Sequence, residues 1–264
     1  MTSDPKKTST FAVSYFRDHM FFRIKSYLCF LLHATNQHGV HSPFVYDLLT
    51  KAMYQKSLQA HLDFYNQYQI QLSKLQANTP KNQQSVTVFG KNGLSQKKAL
   101  LLMRLVDYFQ PTAILELRAL SGIGTSCMAF SLKKSTVISL ENCVQNSEYL
   151  ASNFVNLSLE NIKLVAGDFQ KNLPAAVEDK KYDFVFFNRP PLIKDRLVEF
   201  YAALNAIHND SVFIFDAIYA DKEMAGIWKK IKNHPQVKVT LDTYRFGVVF
   251  FRKEQVKQHF KIRG

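Results

Sequence analysis

Ala113-Ile-Leu-Glu-Leu-Arg-Ala-Leu-Ser-Gly-Ile-Gly-Thr-Ser126 decides the fold. A short apolar run carrying one acid, Glu116, passes through a glycine-containing turn and enters a helix-forming stretch. In open α/β sheets the end of the first strand and the start of the next helix make a nucleotide-sized pocket. Gly122 and Gly124 let backbone approach a ligand, and the helix start offers unpaired N–H groups. Arg118 stands where the tightest part of such a turn ordinarily has glycine.

Downstream the pattern alternates. Apolar runs at Ala113–Leu117, Thr136–Glu141, Ile162–Ala166, Tyr182–Phe187 and Ser211–Asp216 predict strands. Helical stretches fall between them, near Gly122–Lys133, Val144–Leu157, Phe169–Val177 and Leu192–Ile207. Near-continuous apolar strands alternating with helices indicate a parallel sheet covered on both faces. After a helix over Lys222–Asn233, two further strands at Val237–Leu241 and Phe246–Arg252 are joined by Asp242-Thr-Tyr-Arg245, too short for a crossover helix. They must form a hairpin. The expected architecture is α/β, a Rossmann-like doubly wound seven-stranded sheet, mostly parallel with a C-terminal antiparallel hairpin.

The preceding part reads as a helical extension. Met1–Thr10 is polar and is expected to be disordered, and Phe11–His33 is expected to be a helix. Ser42 caps and Pro43 starts a helix to about Gln55, followed by another over Ala60–Leu75. Ala77–Lys91 is the linker candidate, and Leu94–Phe109 is a helix ended by Pro111. Residues 1–90 thus form an N-terminal helical extension or lid, and residues 91–264 the main domain.

Bulk properties narrow the class. Hydrophobic residues make up 47% of the chain, which excludes a disordered chain. Three cysteines without a C-x-x-C argue against a disulfide framework or structural zinc and fit a reducing cytoplasm; Cys29, Cys127 and Cys143 read as small buried hydrophobes. The Phe11–Leu32 run is interrupted by charges and is too short in its uncharged part to span a bilayer. It packs on the domain, lies on an anionic membrane or docks a partner. The net charge is +13, and from Lys222 to Gly264 eleven Lys/Arg stand against three acids. This basic patch is a solvated face or a surface for nucleic acid, anionic membrane or an anionic substrate.

Ligands in such sheets bind beyond the carboxyl ends of the strands. Glu141, ending the second strand, suits the two hydroxyls of a ribose, or simply the dipole of the following helix. Asp168 faces an adenine amino group or caps the next helix. Asn188 and Asp216, at the fourth and fifth strand ends, are expected side by side over the cleft. They are a thin ligand set for a hard divalent cation, so no metal is expected. His38 and His41 read as capping or packing residues, or as acid–base groups of a lid.

From Leu94 to Lys253 the chain resembles class I S-adenosylmethionine (SAM)-dependent methyltransferases, in particular the catechol-O-methyltransferase-like O-methyltransferases and their uncharacterised bacterial relatives. The family pattern I-L-E-L-G-T-x-x-G-I-S-T is met by Ile114-Leu-Glu-Leu-Arg-Ala-Leu-Ser-Gly-Ile-Gly-Thr125, and His38-Gly-Val-His-Ser-Pro-Phe44 looks like the N-terminal part of the uncharacterised relatives. The resemblance implies SAM as cofactor and S-adenosylhomocysteine (SAH) as product. Glu116, Arg118, Gly122, Gly124, Glu141 and Asp168 would line the cofactor site, and Asn188 and Asp216 would be the catalytic pair. The resemblance implies methyl transfer to oxygen on a small-molecule acceptor; the changed residues at the family's metal positions, Asn188 and Ala217, make metal-independent transfer the expectation, with a homodimer as an open alternative. Three departures, Arg118, Asn188 and Ala217, motivate the alternative of a catalytically inactive binding or scaffold module; Pro191 also stands where the family has a lysine base. Asn188-Arg-Pro-Pro191 also bears a slight likeness to the motif of amine-directed methyltransferases.

Overall fold

A computed structural model describes residues 5–78, 93–189, 193 and 195–263, with side chains from residue 19 onward except at 75, 76 and 78. Strands β1 (Ala113–Leu117), β2 (Thr136–Glu141), β3 (Ile162–Ala166), β4 (Phe184–Phe187) and β5 (Val212–Asp216) are parallel. β6 (Val239–Asp242) and β7 (Phe246–Phe250) form the expected hairpin, with β7 antiparallel to β5. The order is β3-β2-β1-β4-β5-β7-β6-β8. The sheet is therefore eight-stranded, not seven: β8 (Gln258–Lys261) adds parallel to β6. Mixed polarity hides this strand, because Gln258-His-Phe-Lys261 lies on an edge and buries little.

The period-two alternation of the strands divides the core. Ile114, Phe184, Phe186, Val212 and Ile214 face one way, toward α4 (Gln96–Phe109) and α5 (Ile123–Ser131). α6 (Val144–Asn156) packs on this side at β2 and β3. Leu115, Leu117, Val185, Phe187, Phe213 and Phe215 face the other way, toward α7 (Phe169–Val177), α8 (Asp195–Ala203) and α9 (Lys222–Asn233).

The helical extension is continuous with this core. α2 (Pro43–Leu48) is capped by Ser42, whose Oγ accepts from Val45 N, and runs into a π turn at Leu49–Met53. Val45, Leu48 and Leu49, with Phe64 and Tyr68 of α3 (Gln59–Asn78), share one buried cluster with α4 and the sheet. Disorder expected for Met1–Thr10 gives way to helix from Pro5, since α1 spans Pro5–His33. A proline at the first helical position loses no hydrogen bond there. The linker expected at Ala77–Lys91 lies, beyond Asn78, outside the described residues. Of the cysteines only Cys127 is buried; Cys29 is exposed and Cys143 half-exposed. Among the described residues no helix is long and apolar enough to cross a membrane.

Candidate functional site

The loop after β1 is built from left-handed backbone. Arg118 (φ 73), Leu120 (φ 52) and Gly122 (φ 76) all take positive φ, two of them without being glycine. Each such non-glycine costs on the order of 1 kcal/mol and persists only when its surroundings hold it. The surroundings do. Tyr68 of α3 donates its hydroxyl to Ser121 O, and a Cβ at Gly122 would come within 2.5 Å of Leu150 Cδ2. Glu141 Oε2 accepts from Leu120 N at 3.1 Å, and Oε1 accepts from Cys143 N at 3.0 Å. The helical extension thus braces the loop through Tyr68, a contact between residues far apart in sequence.

Glu116 faces α5 rather than the cleft. It is fully buried and accepts from Thr125 Oγ1, from Ser139 Oγ at 2.7 Å and from Asn188 Nδ2 at 2.8 Å. Gly124 is required beneath it: a Cβ there would meet Glu116 Oε1 at 2.7 Å. Burial pushes the Glu116 carboxyl up to about 7, against the pull of the three donors. The folded protein therefore holds this proton more tightly than the unfolded chain. Stability is fully present below the ordinary value of 4.5, declines as pH rises toward about 7, and is level above it. The slope is at most roughly 1.4 kcal/mol per pH unit. Denaturant melts of Glu116→Gln between pH 4.5 and 7 should show that slope removed. An unchanged slope would show that Glu116 is ionised throughout.

Asn188 does not stand open over the cleft beside Asp216. It is buried, and its amide is spent on Glu116 and on Arg118 O at 2.6 Å. Gly122 and Gly124 make the turn, and the room left by their missing side chains is taken up by Leu150 and by Glu116 and Phe186 rather than left open for a ligand. Asp168 caps α7, its Oδ1 accepting from Gln170 N at 3.0 Å, while remaining exposed toward the cleft.

Arg118 turns toward α8. Its Nη2 lies 2.7 Å from Glu199 Oε1 and its Nε donates to the same oxygen at 2.8 Å. Asp195 Oδ2 lies 3.5 Å away, and the guanidinium sits 4.2 Å over the Phe169 ring. Arg196, fully buried, donates to Glu199 Oε2 at 3.2 Å and to Asn188 O. Two arginines and two carboxylates balance in this network.

Beside it a cavity of about 690 Å³ opens over the carboxyl ends of β1, β2 and β3. Arg118, Asn142, Gly167, Asp168, Phe169 and Asp195 are among its walls. Gly167 (φ +109) presents open space, since a Cβ there would meet only Asn172 Nδ2 at 3.8 Å. A volume of this size holds a nucleoside-sized ligand.

Sequence reasoning missed Lys98. From the first turn of α4 its ammonium pairs with Asp216 Oδ1 and lies 5.8 Å from the centre of the Phe246 ring. Asp216 also lies in the field of Arg196. A signal was available: Lys97 and Lys98 open a helix, where the dipole disfavours cations, so a lysine there needs an anionic partner. Tyr219, three residues past Asp216, stacks on Tyr244 with centroids 5.0 Å apart and donates its hydroxyl to Asp242. His38 and His41 are exposed, in and just after the Gln37–Gly39 turn. Arg189 is exposed, and the two prolines after it lie outside the described residues. Among the described residues no group of three or more His, Cys, Asp or Glu could hold a metal ion.

No protein-family model matches the chain, and neither does any curated protein. Solved structures do. An O-methyltransferase from Bacillus cereus in complex with SAH superposes with a TM-score of 0.55 at 17% identity, covering 78% of this chain and 95% of that one. A SAH-bound methyltransferase from Podospora anserina gives 0.58 at 10% identity, covering 76% and 92%. An O-methyltransferase from Streptomyces achromogenes in complex with SAM gives 0.54 at 14% identity, covering 74% and 100%. These likenesses establish the Rossmann-like methyltransferase fold.

Proposed function

We propose that this chain is a SAM-dependent methyltransferase that acts on an oxygen nucleophile of a small-molecule acceptor without a metal ion. The observation that carries the reading is the cavity over the ends of β1, β2 and β3, on a fold shared with structures that hold SAM or SAH. The residues present suit that cofactor. Glu141 would take the ribose: its carboxylate has two further lone-pair sites beyond those used by Leu120 N and Cys143 N. Asn142, Asp168 and Phe169 would bound the base, and Arg118, already paired with Glu199, would form the wall at the amino-acid end.

SAM, when bound, supplies an electrophilic methyl on a sulfonium. The chain's own contribution is positioning and proton handling. Asp216 orients the acceptor hydroxyl and accepts its proton as the oxygen becomes a nucleophile. Lys98 holds that carboxylate in place and gives Asp216 the cationic neighbour that a divalent ion would otherwise be. Asn188 acts at one remove, by fixing Glu116 and the Arg118 carbonyl.

Calorimetry with SAH tests the reading. Wild type should bind at micromolar Kd, and Glu141→Ala should weaken binding at least tenfold. Absence of binding by wild type, with recovery in Arg118→Gly, would instead favour a module whose pocket Arg118 has closed.

A further inference from the structure

A second cavity, of about 320 Å³, lies between the C-terminal half of α1 and the turn joining β6 to β7. We propose that it binds an oxyanion, a carboxylate or phosphate, borne on an aromatic body, and that it anchors the methyl acceptor. The acceptor role rests on the methyltransferase reading; the binding site stands on its own geometry.

The walls are Tyr27, Phe30, Thr243, Tyr244, Arg245 and Arg263. Tyr244 is held in a left-handed backbone (φ 61) that a bulky residue rarely adopts. Tyr27 meets it edge-on at 4.9 Å, Phe30 lies 5.5 Å away, and the Tyr244 hydroxyl donates to Arg23 O at 2.7 Å. Such strain is kept where the ring's position matters. The result is a rigid aromatic slot.

Two arginines enter that slot without acidic partners. Among the described residues no carboxylate side chain pairs with Arg245 or Arg263, whereas Arg118, Arg196 and Arg252 are all paired. Asp242, at the base of the turn, is already committed: Oδ1 accepts from Tyr244 N at 3.0 Å and Oδ2 from the Tyr219 hydroxyl. Arg263 gives one N–H to Leu31 O at 2.6 Å, and among the described residues no other side chain engages its fork. Arg104, on α4, feels the charge of Arg245. An anion in the slot would offset that repulsion. A guanidinium fork matches carboxylate or phosphate oxygens in a bidentate fashion, and aromatic rings stack on the body that carries them.

The slot is also in the right place. Phe246, next to Arg245, pairs in register with Asp216, so the turn lies on the same edge of the sheet as the proposed base. Tyr219, three residues past Asp216, stacks on Tyr244 of the slot.

The test uses the full chain, with phenyl phosphate as probe and phenol and inorganic phosphate as its neutral and ring-less counterparts. Phenyl phosphate should bind at least tenfold more tightly than either. Arg245→Gln and Arg263→Gln should each weaken it about tenfold, while Arg252→Gln, remote from the slot, leaves it unchanged. Equal affinity for phenyl phosphate and phenol, or wild-type affinity in both slot variants, would overturn the proposal. SAH calorimetry on the same samples separates the two ideas. Arginine-dependent probe binding without SAH binding keeps the slot and removes the methyltransferase reading. SAH binding with an indifferent slot does the reverse.

Discussion

Glu199→Ala should lower the melting temperature by on the order of 10 °C. Glu199 is buried and is the shared counter-ion of Arg118 and Arg196, both themselves buried. Removing one partner of a buried ion pair strands the other charge and costs roughly 3–5 kcal/mol. A protein of this size loses about 2–4 °C per kcal/mol. Adding Arg118→Gly should recover part of the loss, since it deletes one stranded charge and relaxes a left-handed arginine at φ 73. A shift below about 2 °C in the single variant would mean that water reaches the network and screens it.

Asp216→Asn should reduce methyl transfer to phenolic acceptors, followed by SAH release, by 100-fold or more. SAH affinity should stay within twofold, because Asp216 faces Lys98 rather than the proposed nucleoside cavity. Lys98→Met should act through the same carboxylate, which loses the ammonium that holds it in place: turnover should fall about tenfold while SAH affinity stays within twofold. An Asp216→Asn variant that kept a third of wild-type turnover would remove Asp216 from the proton step.

What could be read in the sequence follows from how local its cause is. β1 and β2 begin and end where the apolar runs do, because a strand covered on both faces writes its own boundaries; the half-exposed edge strand β3 keeps the boundaries of its apolar run as well. Gly122 and Gly124 mark the turn for the same reason: each glycine answers a clash a few ångströms away. The polar partnerships were opaque. Arg118 and Glu199 stand 81 positions apart, Lys98 and Asp216 118. Nothing in either neighbourhood announces the other, apart from cations at a helix start. Asn188 shows the converse. Its place at the end of β4 was correct, yet a strand end offers two directions, and the buried Glu116 drew the amide inward.

The last strand has a use beyond completing the sheet. All four residues of β6 are buried, and β8 covers the ladder groups it would otherwise offer to solvent. β8 is itself short and carries His259 and Lys261, features that discourage another chain from adding to it. Ile262, just beyond, bridges to Thr35, so the segment that follows α1 is fastened at the same margin. Shortening the protein by its final few residues would uncover an apolar, hydrogen-bond-hungry border on every molecule. The damage would then surface as self-association of an otherwise folded protein.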